Sequence, residues 1–160
     1  MASQTTKRAE LDAFDRTILR ILQADNKTPQ RSIADQVNLS AASVQRRIAE
    51  MEKSGVIEKN VSVINPKAAG QAITVIVEVH LKSDQSSVVN PAKALFKSVP
   101  QIQQCYYVTG NGGLILVVLV EDMEAYEALA RRLFADNESV LTYRSLVVLD
   151  RVKVGLSVDI

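Results

Sequence analysis

The residues with the clearest chemical potential lie in one short segment, Ser40–Ser54, with the sequence SAASVQRRIAEMEKS. Gln45 and Arg46 are residue types that make bidentate hydrogen bonds to adenine and guanine in the major groove of DNA. The apolar residues of the segment recur at helical spacing and share one narrow stripe: Val44, Ile48 and Met51. One face of the predicted helix therefore packs inward, and the other is left for a partner.

The sequence marks both ends of this helix and predicts another helix before it. Ser40 is a good N-cap, because its hydroxyl can accept from a free backbone N–H of the first turn, and Gly55 suits the left-handed residue that ends a helix. QRSIADQV, after Thr28-Pro29, is a shorter helical pattern, and Asn38-Leu39 connects it tightly to the next helix. A helix with one apolar stripe and a few arginines is more often an ordinary solvated helix. The preceding helix and turn instead favour a helix-turn-helix, whose second helix enters the major groove.

The expected DNA contacts of this unit form two groups. The side chains near the tip of the second helix are expected to face the bases: Ala42, Ser43, Gln45 and Arg46. Three others are expected to hold the phosphate backbone: Ser40, Arg47 and Lys59. For Lys59, a solvated charge on a strand is the alternative. The net charge of the chain is only +1, so weak binding per protomer is expected, and dimers or larger assemblies would gather several copies of the site.

The first part of the chain is predicted to be a DNA-binding domain over residues 11–64, after a disordered segment over residues 1–10. LDAFDRTILRILQAD has the period of the first helix in a three-helix core. VIEKNVSVINP, after Gly55, alternates apolar and polar residues and predicts an extended strand or wing. Asn65-Pro66-Lys67 and Gly70 strongly favour a turn and a break in regular secondary structure, so the domain boundary is placed there.

The second part, residues 65–160, changes to strand-like alternation. A strand is predicted over Ala72–Leu81, a helix around Pro91–Ser98, strands over QIQQCYYVT and LILVVLV joined by a glycine hairpin, a helix over MEAYEALARRLFAD and a last strand over VLTYRSLVVLDRVKV. This βαββαβ order predicts a ferredoxin-like domain, and the whole chain is of the α+β class. Because the strands offer apolar residues to both sheet faces, the face without helices is expected to pack against a second copy of the chain.

Composition argues against several classes of protein. Hydrophobic residues make up 47% of the 160 residues, but no run of about eighteen apolar residues is present that could span a membrane. MASQTTKRAE has no apolar stretch and does not predict a signal peptide. The single cysteine, Cys105, fits a reducing compartment, so the cytoplasm is expected. The sequence has no catalytic triad or phosphate-cradling motif, and its one histidine, His80, lacks partners at ligand spacing. We therefore expect no enzyme activity, no metal and no cofactor.

Taken together, these motifs resemble the Lrp/AsnC, or feast/famine, family of bacterial and archaeal transcription regulators. The resemblance covers about residues 10 to 155. Its most specific parts are Leu11-Asp12 with Asp15 and Ile18-Leu19, then Leu39-Ser40 with Val44, Arg47-Ile48 and Glu52, then Gly55-Val56-Ile57. The resemblance implies a winged helix-turn-helix domain followed by a RAM-type βαββαβ domain. It also implies homodimers, which commonly assemble to octamers.

The resemblance further implies an amino acid or related metabolite as effector, bound by the βαββαβ domain. In most members a glycine followed within three residues by an acid lines that pocket. The matching stretch here consists of Gly110, Asn111, Gly112 and Gly113, which keeps the glycine and lacks the acid. Such a carboxylate pairs with an α-ammonium group, so a flexible glycine hairpin without ligand is the alternative. Ser145 matches a hydroxyl-bearing position of the last strand and could still bind the effector.

Three classes of function follow. The favoured one is a sequence-specific transcription regulator that binds double-stranded DNA and responds to an amino acid or a related metabolite. The alternative is an architectural DNA-binding protein of the same fold that works without an effector, which the glycine-rich loop favours. An enzyme with an appended helical domain is the least supported class, because the chain offers no catalytic constellation.

Overall fold

The structure, a computed structural model, describes residues 10–109 and 113–160. These residues form two compact units: a helical unit of residues 10–62 and 154–160, and a sheet unit of residues 63–153. The expected disorder of residues 1–9 lies outside the described residues. Residues 154–160 were expected in the second domain, yet they group with the helical unit. Among the described residues, no helix is long and apolar enough to cross a membrane.

The helical unit contains three helices, α1 over Ala13–Ala24, α2 over Gln30–Val37 and α3 over Ala41–Lys53. Local signals explain their ends. The Asp12 side chain accepts from the backbone of Asp15 and caps α1. Asn38, with φ of 54°, ends α2 in the left-handed conformation that asparagine tolerates. Gly55, with φ of 78°, follows α3. The helix-turn-helix prediction is confirmed.

The apolar stripes of the three helices meet in one core. Ile18, Ile33 and Val44 are completely buried there, one from each helix, and Leu39 in the turn packs against them. Since α3 turns Val44 and Met51 into this core, its opposite face remains exposed.

The segment after α3 differs from the expected wing. Residues 56–65 are assigned to neither a helix nor a strand. A β-strand requires a hydrogen-bonded neighbour, and residues 10–109 and 113–160 place none beside this segment. The extended strand predicted here is therefore absent from the single chain.

The sheet unit has the predicted βαββαβ order. Its elements are β1 over Ile73–Leu81, α4 over Ser86–Ser98, β2 over Ile102–Tyr107, β3 over Gly113–Val120, α5 over Met123–Ala130 and β4 over Val140–Val147, with a π-helical turn over Arg131–Ala135 after α5. The strands form one antiparallel sheet in the order β2-β3-β1-β4. The ferredoxin-like prediction is confirmed.

Two boundaries in the sheet unit differ most from the sequence prediction. Helix α4 begins at Ser86 and contains Pro91, which was predicted to be near its start. The missing Pro91 N–H leaves the Ser87 carbonyl without its helical partner, but both residues are exposed, so water can replace the bond. Strand β4 ends at Val147, seven residues before the predicted end.

The two faces of the sheet have different surroundings. Alternate residues of β1 and β3 are buried beneath the helices, around Phe96 and Phe134. The residues of the other face are half-buried or exposed, and we call this the open face. Its apolar members, matched across the strands by register, are Ile76, Ile115, Val117, Leu119, Leu146 and Tyr106.

Candidate nucleic-acid interface

Helix α3 presents a polar face to solvent near its N-terminus. Ala42, Gln45 and Arg46 are exposed and Ser43 is half-buried, whereas Val44 between them is completely buried. The 100° step of the helix produces this division. The structure therefore brings all four predicted base-contacting residues to one end of α3, on the side that the core does not use.

Ser40 serves as the N-cap of α3, as the sequence indicates. Its Oγ accepts from the backbone N–H of Ser43 at 3.1 Å and donates to the Ser43 hydroxyl oxygen at 2.9 Å. These two bonds hold the first turn closed. Ser40 Oγ already accepts a proton and donates its own, so the Ser43 hydroxyl hydrogen is the one that remains to meet DNA.

Arg47 lies in a different environment from the one expected. Its Nη1 donates to Asp12 Oδ2 at 2.8 Å and to Asp15 Oδ1 at 2.7 Å, and its side chain is only 25% exposed. The hydrogen bonds to Asp15 and Asp12 raise the pKa of Arg47. The predicted phosphate contact of Arg47 stays a prediction, but Arg47 Nη1 here pairs two carboxylates of the same unit.

Lys59 is exposed in the segment after α3. The neighbouring Asn60 donates from Nδ2 to Glu52 Oε1 at 3.0 Å and so ties this segment to the last turn of α3. The sequence pattern did not predict this bond, because it joins Asn60, outside any helix or strand, to Glu52 of α3 across the turn that follows the helix.

The predicted effector residues are only partly within the described part of the chain. Gly110, Asn111 and Gly112 lie outside the described residues. Gly113 is buried as the first residue of β3, in register with His80 of β1. Its carbonyl accepts from the Val108 backbone at 3.0 Å.

Ser145 lies on the helix side of β4, where its Oγ is 2.5 Å from the hydroxyl of Tyr126 on α5. Burial raises the pKa of Tyr126, and the bond with Ser145 partly offsets this. Both hydroxyls line an open groove of about 600 Å³ between α5 and β4, with Tyr143 and Arg131. The sequence indicated Ser145 but not Tyr126, which was read only as part of an amphipathic helix.

No site for a metal is apparent in the described part of the chain. Its histidine, cysteine, aspartate and glutamate side chains form no group of three that could hold an ion. Cys105 is half-buried in β2, and burial raises the pKa of its thiol.

Family models match both parts of the chain. A model described as winged helix-turn-helix DNA-binding matches residues 11–58, and one described as the Lrp/AsnC ligand binding domain matches residues 74–158. The chain belongs to the Lrp/AsnC family. The curated relatives include an uncharacterised HTH-type transcriptional regulator of Sinorhizobium fredii, 38% identical over 94% of this chain and 89% of its own length. A leucine-responsive regulatory protein of Rhizobium meliloti is 28% identical over 96% and 98%.

Solved structures agree with this membership. An AsnC family transcriptional regulator from Agrobacterium tumefaciens is 29% identical, with a TM-score of 0.86 over 93% of this chain and 97% of its own. A regulator from Neisseria meningitidis, solved with L-Met, has the same TM-score over 93% and 96% but 21% identity, and so shares the fold. This Lrp/AsnC member is a helix-turn-helix transcriptional regulator.

Proposed function

We propose that this Lrp/AsnC regulator reads specific double-stranded DNA sequences with α3. Ala42, Ser43, Gln45 and Arg46 face the bases, and Lys59 with the N-terminal turn of α3 at Ser40 approaches the backbone. The observation that carries the proposal is the exposure of Gln45 and Arg46 beside a capped helix tip whose other face is fixed in the core. Because such DNA lies in the cytoplasm of a bacterium or archaeon, we place the protein there, and its regulator relatives give no reason to expect an enzyme.

A test of this reading uses duplexes selected from a random library by the wild-type protein. Arg46→Ala should weaken binding to a selected duplex by about 1–3 kcal/mol if Arg46 reads guanine, and should relax the preference at that position. Arg20→Ala on α1, which is exposed outside the proposed interface, is the matched control and should bind as the wild type does. Equal loss on selected and random DNA would instead make Arg46 a phosphate contact.

The alternative is an architectural protein that organises DNA without strict sequence choice. The glycine-rich stretch that lacks the family's acid favours it. Footprints over many dissimilar sequences would support this alternative. Paired half-sites about 34 Å apart, or at multiples of that spacing, would support a dimeric sequence reader.

We also propose that the open face joins two copies into a dimer and that dimers assemble further, to octamers. Its apolar residues lie in the centre of the sheet, with the bidentate pair of Arg144 and Glu78 beside them, both bonds 2.9 Å long. Val117→Lys should convert dimers to monomers in analytical ultracentrifugation, since it would bury an unpaired charge. Leu149→Lys, at a completely exposed position, should not. If Val117→Lys and the wild type have equal masses, the open face is not the dimer interface.

Finally, we propose a small-molecule effector, an amino acid or related metabolite, for the sheet unit, with Ser145 among its contacts. The similar fold from Neisseria meningitidis was solved with L-Met, and Ser145 lies in an open groove here. The test is thermal unfolding against the twenty amino acids, in which a ligand at one hundred times its Kd adds about 2.7 kcal/mol. Ser145→Ala should reduce that gain, whereas Thr142→Ala on the open face should keep it. No gain from any compound would favour a regulator without such an effector.

A further inference from the structure

The cluster around Arg47 joins α3 to the first turn of α1. A single nitrogen, Nη1, reaches both carboxylates, and the guanidinium carbon lies 5.5 Å from the centre of the Phe14 ring. Such an arrangement combines an ion pair with a cation–π contact. Arg47 of α3 therefore contacts the N-cap of α1, Asp12, and two residues of its first turn, Phe14 and Asp15.

The two carboxylates divide their oxygens between two tasks. Asp12 Oδ1 accepts from the Asp15 backbone at 2.8 Å, and Asp15 Oδ2 accepts from the Asp12 backbone at 3.2 Å, which forms a reciprocal capping box. The remaining oxygens, Asp12 Oδ2 and Asp15 Oδ1, receive Arg47. The capping box thus helps to hold both carboxylates in the positions at which they accept from the guanidinium.

The position of Arg47 next to Arg46 gives this cluster a consequence for DNA recognition. Consecutive residues of a helix point about 100° apart, so a fixed direction for Arg47 also fixes the direction of Arg46. The Asp15 side chain is 14% exposed and that of Arg47 is 25% exposed. Partial burial makes this pair less subject to salt screening than the exposed pair of Arg131 and Glu127, whose side chains are 69% and 73% exposed.

We propose that Arg47 is a positioning residue for DNA recognition, which fixes the rotation of α3 against α1 and contacts no phosphate. The inference rests on the proposed function of α3 as the reading helix. It assigns the two adjacent arginines opposite tasks: Arg46 meets DNA, and Arg47 holds the helix that presents it.

The test separates these tasks by the salt dependence of binding. Each phosphate contact contributes about −0.9 to the slope of log K against log salt. Arg47→Lys keeps the charge but is shorter and lacks the planar guanidinium that lies over the Phe14 ring, and Asp12→Asn keeps a good N-cap while removing one charge partner. For both, the ratio of selected-duplex to shuffled-duplex affinity should fall about tenfold, the size of one lost charge-assisted hydrogen bond. The slope on the shuffled duplex should not become shallower.

Arg131→Gln, which breaks an exposed pair in the sheet unit, is the control and should leave the ratio unchanged. The proposal is overturned if Arg47→Gln weakens both duplexes equally and makes the slope shallower by about 0.9 per protomer, since Arg47 would then contact phosphate. An unchanged ratio in Arg47→Lys and Asp12→Asn also overturns it. If circular dichroism shows that Arg47→Gln does not fold, Arg47→Lys and Asp12→Asn alone test the proposal.

If α3 does not read DNA sequence at all, the experiment gives a different result. If the wild-type protein selects no sequence at all, α3 does not read bases, and amide hydrogen exchange of the DNA-free protein then tests the positioning alone. Arg47→Lys should speed exchange in the first turns of α1 and α3. Exchange equal to that of the wild type would overturn the positioning role without reference to DNA.

Discussion

Gln23 on α1 holds the returning segment 154–160, and its replacement offers a sharp test of that contact. Gln23 Nε2 donates to the Val158 carbonyl at 3.0 Å, and the Val158 N–H donates to Gln23 Oε1 at 2.7 Å. The side-chain amide therefore pairs with the backbone as a neighbouring strand would. Ile160, two residues later, packs against the core of the helical unit.

Gln23→Ala removes both bonds. Each contributes about 0.5–1.5 kcal/mol net, so docking of the segment should weaken by about 1–3 kcal/mol, and the detached fraction should rise about 5- to 150-fold. Gln23→Glu keeps the acceptor for the Val158 N–H but loses the donor, so its effect should be smaller. Amide hydrogen exchange measured by mass spectrometry on peptides covering residues 154–160 reports the change directly.

Gln36→Ala is the control, because the Gln36 side chain bonds only within α2, to the Ser32 carbonyl at 3.1 Å. It should leave exchange in residues 154–160 as in the wild type. If Gln23→Ala also leaves that exchange unchanged, Ile160 and its neighbours hold the segment, and the reasoning from the two hydrogen bonds is refuted.

Other predictions concern packing, pH and the sheet unit. Val44→Ala in the core should cost about 2 kcal/mol in urea unfolding, while Val63→Ala, at a position 94% exposed, should stay within about 0.5 kcal/mol. The Asp15 backbone N–H and then Arg47 hold the pKa of Asp12 below its ordinary value of 3.8. This stabilisation is complete above that value and is lost as pH falls through the lower folded pKa, so Asp12→Asn should flatten the acid limb of unfolding measured from pH 6 to 2. Tyr126→Phe should lower stability by about 1 kcal/mol in thermal unfolding, and Tyr107→Phe, on an exposed side chain outside the open face, by less; equal losses would contradict this.

Much of the fold follows from periodic patterns that act over short distances. The stripe of Val44, Ile48 and Met51 predicts α3, because a helix repeats every 3.6 residues. Strand alternation and the glycine hairpin predict the order of the strands along the chain in the same way. Pro91 misled the prediction of α4 because proline is common at a helix start, whereas here it lies inside the helix at an exposed position, where water can replace the lost bond.

The returning segment shows why its partner could not be predicted. Val154, Leu156 and Val158 alternate with other residues and were included in the last strand or placed beyond it in the second domain. Alternation of apolar and other residues indicates only that one face or edge of the segment needs a partner. It does not say whether that partner is a strand or, as here, the side-chain amide of Gln23, which precedes Val158 by 135 residues.

Arg47 presents the same difficulty in the interface, and its pairing changes the expected electrostatics. In the sequence, Arg46 and Arg47 are adjacent and appear as equivalent cations. The partners of Arg47 lie more than thirty residues earlier, so only the folded chain brings them into contact. Of the two proposed backbone contacts only Lys59 carries a charge, so a dimer neutralises about two phosphates and has a salt slope of about −1.8; adding Arg47 would give about −3.6. With Arg47 held by Asp12 and Asp15, as proposed above, few charges per protomer remain for the DNA backbone. Sequence-specific affinity must then come from base contacts and from several copies of α3 acting together, which is the physical reason to expect a regulator of this design to work as an oligomer.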